Sequence, residues 1–250
     1  MTSDAAVFTV EVAGYTDRGT VRNENQDAWD ALTLPWGAAL VVADGMGGHH
    51  GGRESAEAAV HAASASLRAF DGSGDLTELV RAAVHDANVA VDGVRQRIGG
   101  DPGTTLVIAA IGRDGRAVVG NVGDSRAYLI TSNEARPITE DHSWVAEQVR
   151  AGLLDAAATR DHLRRNVITR AVMGDEVVAD TFTVQLEPGV TLMLCSDGVW
   201  EPLSDHAMAA IVNGTATLHD AARRLCTDAL SAGSADNVTA AAARCIRQVN

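Results

Sequence analysis

Much that would place this chain in a membrane, in a secretory route or on nucleic acid is missing from it. No apolar run is long enough to span a bilayer. The opening Met1-Thr2-Ser3-Asp4 lacks the basic and apolar regions of a signal peptide. Cysteine is scarce: Cys195, Cys226 and Cys245 are odd in number, widely spaced and without a zinc pattern. They point to a reducing cytoplasm, with each one a small buried apolar residue. Basic residues are outnumbered, 20 against 33 acidic, for a net charge of -13. That balance argues against nucleic acid and against an anionic membrane surface as partners. No internal repeat, linker or low-complexity tract appears, so one domain over residues 1–250 is expected.

What is present is an ordinary globular composition, 46% apolar and 21% charged, in a length that suits one large domain. The chain is organised around Val41-Val42-Ala43-Asp44-Gly45-Met46-Gly47-Gly48-His49-His50-Gly51-Gly52. The apolar run Ala38 to Ala43 is a buried strand ending in a carboxylate, followed by glycines that let the backbone turn and approach a ligand closely. A second apolar strand, Thr191 to Cys195, runs into Ser196-Asp197-Gly198 in the same way, and Asp236 precedes an alanine-rich last strand ending near Cys245. Residues 7–13 alternate weakly as a first strand, and 181–186 form another, followed by the turn Glu187-Pro188-Gly189. Strands at 104–111, 117–121 and 126–131 look like an antiparallel meander, with Gly123-Asp124-Ser125-Arg126 in its second turn.

Helices are expected at 53–70, 75–98, from Ser204 or Asp205, and at 217–231. Asp75-Leu76-Thr77-Glu78 has capping-box spacing, and Leu76, Leu79, Val80, Ala83, Val84, Ala87, Val91, Val94 and Ile98 keep one apolar face. His61 and His85 lie on these helices as ordinary surface or packed histidines. The polar stretch Gly14 to Ala28 is either an exposed connection or the wall of a site, and taken alone is an exposed loop. Residues 139–175 turn polar and helix-like, an excursion from the strand system.

Asp44, Asp197 and Asp236 sit at strand ends. If they converge, they repel one another unless positive charge lies between them, and hard divalent cations with oxygen ligands are the ordinary solution. If they do not converge, each caps its own loop. Spacing alone leaves both readings open.

Taken in order, the motifs resemble those of the metal-dependent protein phosphatases of type 2C, in their bacterial form. They run Arg22-Asn23-Glu24-Asn25-Gln26-Asp27, Asp44-Gly45-Met46-Gly47-Gly48-His49, Gly103-Thr104-Thr105 and Gly120-Asn121-Val122-Gly123-Asp124-Ser125-Arg126. Thr139-Glu140-Asp141-His142-Ser143 and Asn166-Val167-Ile168-Thr169-Arg170 follow, then Ser196-Asp197-Gly198-Val199-Trp200 and Asp236-Asn237-Val238-Thr239. Eight motifs in one order, over nearly the whole chain, are highly specific.

The resemblance implies an α+β fold, an α-β-β-α sandwich of two antiparallel sheets flanked by helix pairs, with a small flap subdomain at about 139–175. It implies two Mn2+ or Mg2+ ions per chain. Asp44 would bridge both, the Gly45 carbonyl would bind one, Asp197 and Asp236 the other, and Asp124 would help hold a third, weaker ion. The expected reaction is hydrolysis of phosphoserine and phosphothreonine by a metal-activated water, to which net acidity is no obstacle when metals neutralise the site. Arg22 would clamp two phosphate oxygens, and His49 or a metal-bound water would protonate the leaving oxygen. Two departures stand out. Gln26 replaces a frequent glutamate, which leaves Asp27 as the charged group of the first motif, directly or through a second layer. Met46 stands where animal relatives carry histidine, which makes His49 the candidate donor. The implied setting is a cytoplasmic monomer acting on phosphorylated proteins, including a bacterial serine/threonine kinase, with no nucleic acid or membrane. Two other functions are weighed: a catalytically silent phosphoprotein-binding regulator, whose signature would be a lost metal acid, and a phosphatase of small metabolites.

Overall fold

A computed structural model of the chain describes residues 8–47, 51–159 and 162–247. Eleven strands and six α-helices are described. The first strands are β1 (Phe8–Asp17), β2 (Asp27–Leu34) and β3 (Gly37–Met46), followed by helices α1 (Gly52–Ala69) and α2 (Leu76–Ile98). Next come β4 (Gly103–Thr104), β5 (Leu106–Gly112), β6 (Arg116–Val122), β7 (Arg126–Ile130), β8 (Ala135–Pro137) and α3 (Trp144–Arg150). The chain continues through β9 (Asp180–Gln185), β10 (Thr191–Cys195), α4 (Asp197–Trp200), α5 (Asp205–Asn213), α6 (Leu218–Ser231) and β11 (Val238–Arg247).

The strands form two antiparallel sheets, ordered β1-β11-β10-β7-β8 and β2-β3-β5-β6-β9, with β4 paired to the end of β3. The central strands explain their own sequence. In β3, Ala38, Leu40 and Val42 face the other sheet, while Ala39, Val41 and Ala43 face α1 and α2. In β10, Leu192 and Leu194 face inward between the sheets, and Met193 and Cys195 face α5 and α6. A strand buried on both faces reads as an unbroken apolar run, because neither face is left for polar side chains. Three stacked cores result, one between the sheets and one under each helix pair, which is the expected four-layer sandwich. Cys195, Cys226 and Cys245 are free and buried, and His61 and His85 are exposed, as the sequence suggests.

Four local expectations change. The meander does not form: β5 and β6 pair, but β7 crosses to the other sheet beside β10, so Gly123-Asp124-Ser125 is a crossover and not a hairpin turn. Likewise β9 and β10, joined at Glu187-Pro188-Gly189, lie in different sheets. Strands β2 and β8 escape sequence reading, since β2 mixes Asp27, Asp30 and Thr33 into its apolar residues and β8 is three residues long. The cap of α2 is Asp75, which accepts from the Thr77 N–H at 2.6 Å, but Glu78 turns to Arg81 and closes no reciprocal box. In residues 139–175 the only α-helix among the described residues is α3, with a single 3-10 turn at Ala156–Ala158. This segment is pinned at its base by bridges between Ser143 and Ile168 and between Thr104 and Val172.

Candidate metal centre

Two neighbouring strands deliver the first acids. In the β2–β3 register Asp27 lies opposite Asp44. The neighbouring Gly45 is held against two backbones: its N–H donates to the Gln26 carbonyl at 3.1 Å, and a Cβ there would lie 2.2 Å from the Gly52 carbonyl oxygen. Any side chain at 45 would force apart the start of α1 and the chain beside Gln26. Gly198 is fixed by the same steric logic, since a Cβ would lie 2.0 Å from the Asn237 carbonyl oxygen. The two Asp-Gly pairs are therefore packing solutions that bring backbone up to each acid.

Asp197 opens α4 directly after β10, and Asp236 stands two residues before β11. Asp124 sits in the crossover from β6 to β7 and is buried. These acids converge. Asp27, Asp197, Asp124 and Asp236 all act electrostatically on Asp44, adding to burial, the larger cause, to push its carboxyl well above the usual range. Burial likewise raises Asp27 to about 7, offset by hydrogen bonds from Thr239 and Ser196. Burial first, then the Asp197 charge, puts Asp124 at about 8. Asp197 stands at about 6, again chiefly through burial, with the Asp236 charge next. The reading of each acid as the cap of a separate loop is thereby set aside.

Asp27 is the best anchored. Its Oδ2 accepts from Ser196 Oγ at 2.8 Å and Thr239 Oγ1 at 2.6 Å, while Oδ1 is buried with no partner. Asp197 Oδ1 is a second buried oxygen without a partner. Orphaned carboxylate oxygens that repel one another want a cation, and an all-oxygen donor set suits Mg2+ or Mn2+ and not zinc. Among the described residues no three His, Cys, Asp or Glu side chains close into a ready-made coordination cage.

Arg22 reaches this group from the β1–β2 connection. Its guanidinium meets Asp236 Oδ2 at 2.5 Å, half exposed, in a cleft of about 580 Å³ lined also by Arg165, Asn166 and Glu201. Gln26 turns its amide to Glu24 Oε1 at 3.0 Å. His49 lies outside the described residues.

Sequence reading missed the residues that hold the acids in place. Asn237 accepts from the Gln26 N–H at 2.8 Å and donates to the carbonyls of Arg18 and Glu24 at 2.9 and 3.0 Å. That clamp makes residues 18–26 a wall of the site and not a free loop. The Asp44 N–H donates to Thr105 Oγ1 at 3.0 Å, and Thr105 pairs with Ser125 Oγ at 2.8 Å. The Trp200 indole N–H donates to the Asp124 carbonyl at 3.0 Å, and Arg126, bidentate on Asp141, stacks on the Trp200 ring. The only sequence signal for these roles was proximity to an acid inside a motif.

An α-β-β-α sandwich that gathers five aspartates at one centre defines the class to which the chain's relatives also point. The family model described as protein phosphatase 2C matches residues 18–240. The serine/threonine phosphatase stp of Listeria monocytogenes is 35% identical over 231 residues, covering 90% of this chain and 91% of that protein. The crystal structure of serine/threonine phosphatase Stp1 from Staphylococcus aureus is similar with a TM-score of 0.89 at 29% identity, covering 99% of both chains. The catalytic domain of the phosphatase PstP, in complex with two manganese ions, is similar with a TM-score of 0.83 at 31% identity, covering 96% of this chain and 99% of that one. The chain belongs to the protein phosphatase 2C family.

Proposed function

We propose that this phosphatase hydrolyses phosphoserine and phosphothreonine in proteins at a centre of two divalent cations, Mn2+ or Mg2+, within one catalytic domain over residues 1–250. The observation that carries the reading is the convergence of Asp27, Asp124, Asp197 and Asp236 on the buried Asp44. A relative that binds two manganese ions in the same fold supports it. Asp44, the Gly45 carbonyl, Asp197 and Asp236 would hold the two cations. Asp27 would serve directly or from behind, and Asp124 would hold a third, weaker cation. The bound cations supply charge against the phosphate dianion and acidify a water.

The chain's own residues do the rest. Arg22 rests on Asp236 and presents a planar fork at the mouth of the cleft. That fork is placed to take two phosphate oxygens. It would hold phosphorus in line for attack and shield the charge that develops on the oxygens. Ser196 and Thr239 fix one oxygen of Asp27 so that the other faces the centre. His49 is the proposed proton donor to the leaving oxygen. The same reading extends to an opposing bacterial serine/threonine kinase among the substrates, to action as a monomer, and to the cytoplasm. Among the described residues no helix is long and apolar enough to cross a membrane.

The test is hydrolysis of a phosphothreonine peptide by the purified chain with Mn2+, with Mg2+ and with EDTA, beside Asp197→Asn. Activity should require metal and fall by about a hundredfold or more in the mutant. Substantial turnover in EDTA would overturn the reading. A folded, metal-binding chain inactive on every phosphopeptide would favour the silent regulator.

A further inference from the structure

Among the described histidines only His142 is buried, at 3% exposure, and the mechanism above makes no use of it. Both of its ring nitrogens are engaged, on different elements. The Gly123 N–H donates to Nδ1 at 3.0 Å, so that nitrogen carries no proton. The ring proton therefore sits on Nε2, which donates to Asp180 Oδ2 at 3.0 Å. The backbone repeats the link, since the His142 N–H donates to the Gly123 carbonyl at 2.9 Å and the His142 carbonyl accepts from the Thr169 N–H at 2.8 Å. Asp180, the first residue of β9, is gripped in turn by Arg170 at 2.7 Å.

His142 thus joins, by ring and backbone together, the Gly123-Asp124 crossover to the entry of the 139–175 segment, to Thr169 near its exit, and through Asp180 to the sheet and Arg170. On the far side of Asp124 the chain of contacts continues inward. Ser125 bonds Thr105, which accepts the Asp44 N–H. Gly123 itself has φ +109, and a Cβ there would lie 2.7 Å from the Thr105 Cβ, so the turn is held from both sides. A group serving only to fill space would need no polar atoms here. A group serving only to satisfy the Gly123 amide would need one acceptor, not a rigid ring with a second, opposed bond.

We infer that His142 is a positioning residue for Asp124, fixing the crossover that presents this acid and tying its placement to the two ends of the flap-like segment. The inference rests on the reading of Asp124 as ligand of a third, weaker cation. Its reach is wider, because it makes occupancy of that ion depend on Asp180 and Arg170 at the base of the segment.

The closing experiment separates the two ring nitrogens. His142→Asn keeps an acceptor near the Nδ1 position, and His142→Gln keeps a donor near the Nε2 position. Three quantities are read on the full chain: hydrogen exchange of the Gly123 amide by NMR without metal, stepwise Mn2+ binding followed by EPR of the free ion, and kcat and KM on a phosphothreonine peptide. Wild type and His142→Asn should both protect Gly123, while His142→Asn, which loses the bond to Asp180, should move the weak step as Asp180→Ala does and less than His142→Gln. In His142→Gln the amide should exchange about tenfold faster, and the weak step should move to about tenfold higher Mn2+. The tight steps should stay in place, and kcat should fall more than KM rises. Asp180→Ala, at a 41% exposed side chain, breaks only the outer link and should shift the weak step in the same direction. Equal behaviour of Asn and Gln, loss of Gly123 protection with the weak step unmoved, or an unshifted weak step in Asp180→Ala would each overturn the proposal. A wild-type chain that turns over phosphopeptide with only tight steps would remove the third-cation reading and this inference with it, leaving the two-cation reading standing.

Discussion

The side chain with the widest hold on the site is Asn237, not one of the acids. Buried at 4% exposure, it makes three hydrogen bonds to the backbone of residues 18–26, the stretch that carries Arg22. Asn237→Ala removes all three and leaves the Gln26 N–H and two carbonyls to find water. At about 1 kcal/mol for each bond, the loss should be about 2–4 kcal/mol. We expect a lower urea midpoint, equivalent through the m-value to that loss, and faster proteolytic nicking within 18–26. An unshifted midpoint would mean that the connection holds itself and that Arg22 is not placed by Asn237. The acids were legible because a carboxylate at the end of an apolar strand is conspicuous. Asn237, Thr105, Ser196 and Thr239 were not, because a buried hydroxyl or amide looks like any turn residue until its partner, often 40 or more residues away, is known.

At the scale of elements, sequence reading recovered β1, β7 and β9 as well as the strands buried on both faces, β3, β5, β6, β10 and β11, where hydrophobicity alone fixes the assignment. What it could not recover is which sheet each joins. β7 follows β6 after three residues, the spacing of a hairpin, yet crosses the sandwich to pair with β10 in the other sheet. The 139–175 segment was legible only as a change of texture. Its one α-helix among the described residues, α3, buries Val145 alone, while Leu153, Leu163 and Val167 face solvent at 75%, 100% and 45% exposure. An excursion that keeps apolar side chains outside, next to a cleft it helps line through Arg165 and Asn166, is suited to touching a peptide. Exchanging this segment for that of a relative should alter the ranking of phosphopeptides by about tenfold while changing the rate on a small aryl phosphate by less than about threefold. Equal changes in both would show that the segment supports the centre and does not choose substrates.

The whole molecule carries the cost of its centre in its stability. Asp27 at about 7, Asp124 at about 8 and Asp197 at about 6 all hold their protons to higher pH than the same carboxyls do in the unfolded chain. A folded acid with a raised pKa binds more protons than its unfolded form throughout the interval between the two values. Raising the pH across that interval therefore favours unfolding. The interval here runs from about 4 to about 8, so the metal-free chain should be more stable at pH 5 than at pH 8. A carboxyl held at about 6 instead of the usual 3.8 forfeits roughly 3 kcal/mol by the top of the interval. For a chain of this length that lowers the melting temperature by about 6–12 °C. Asp180, lowered by its bonds to His142 and Arg170, works in the opposite sense but has lost its leverage above the ordinary carboxylate range. Cations reverse the sign: they bind the ionised acids, so their stabilisation grows as the pH rises and the protons leave. Melting curves at pH 5 and pH 8, in EDTA and in excess Mn2+, read both effects. In EDTA the midpoint should fall with pH, and the gap that Mn2+ opens should be larger at pH 8. A midpoint in EDTA that is flat or rises over this range would show that the five aspartates are not crowded in the folded chain. That result would undercut the electrostatic case for a cation centre independently of any assay of turnover.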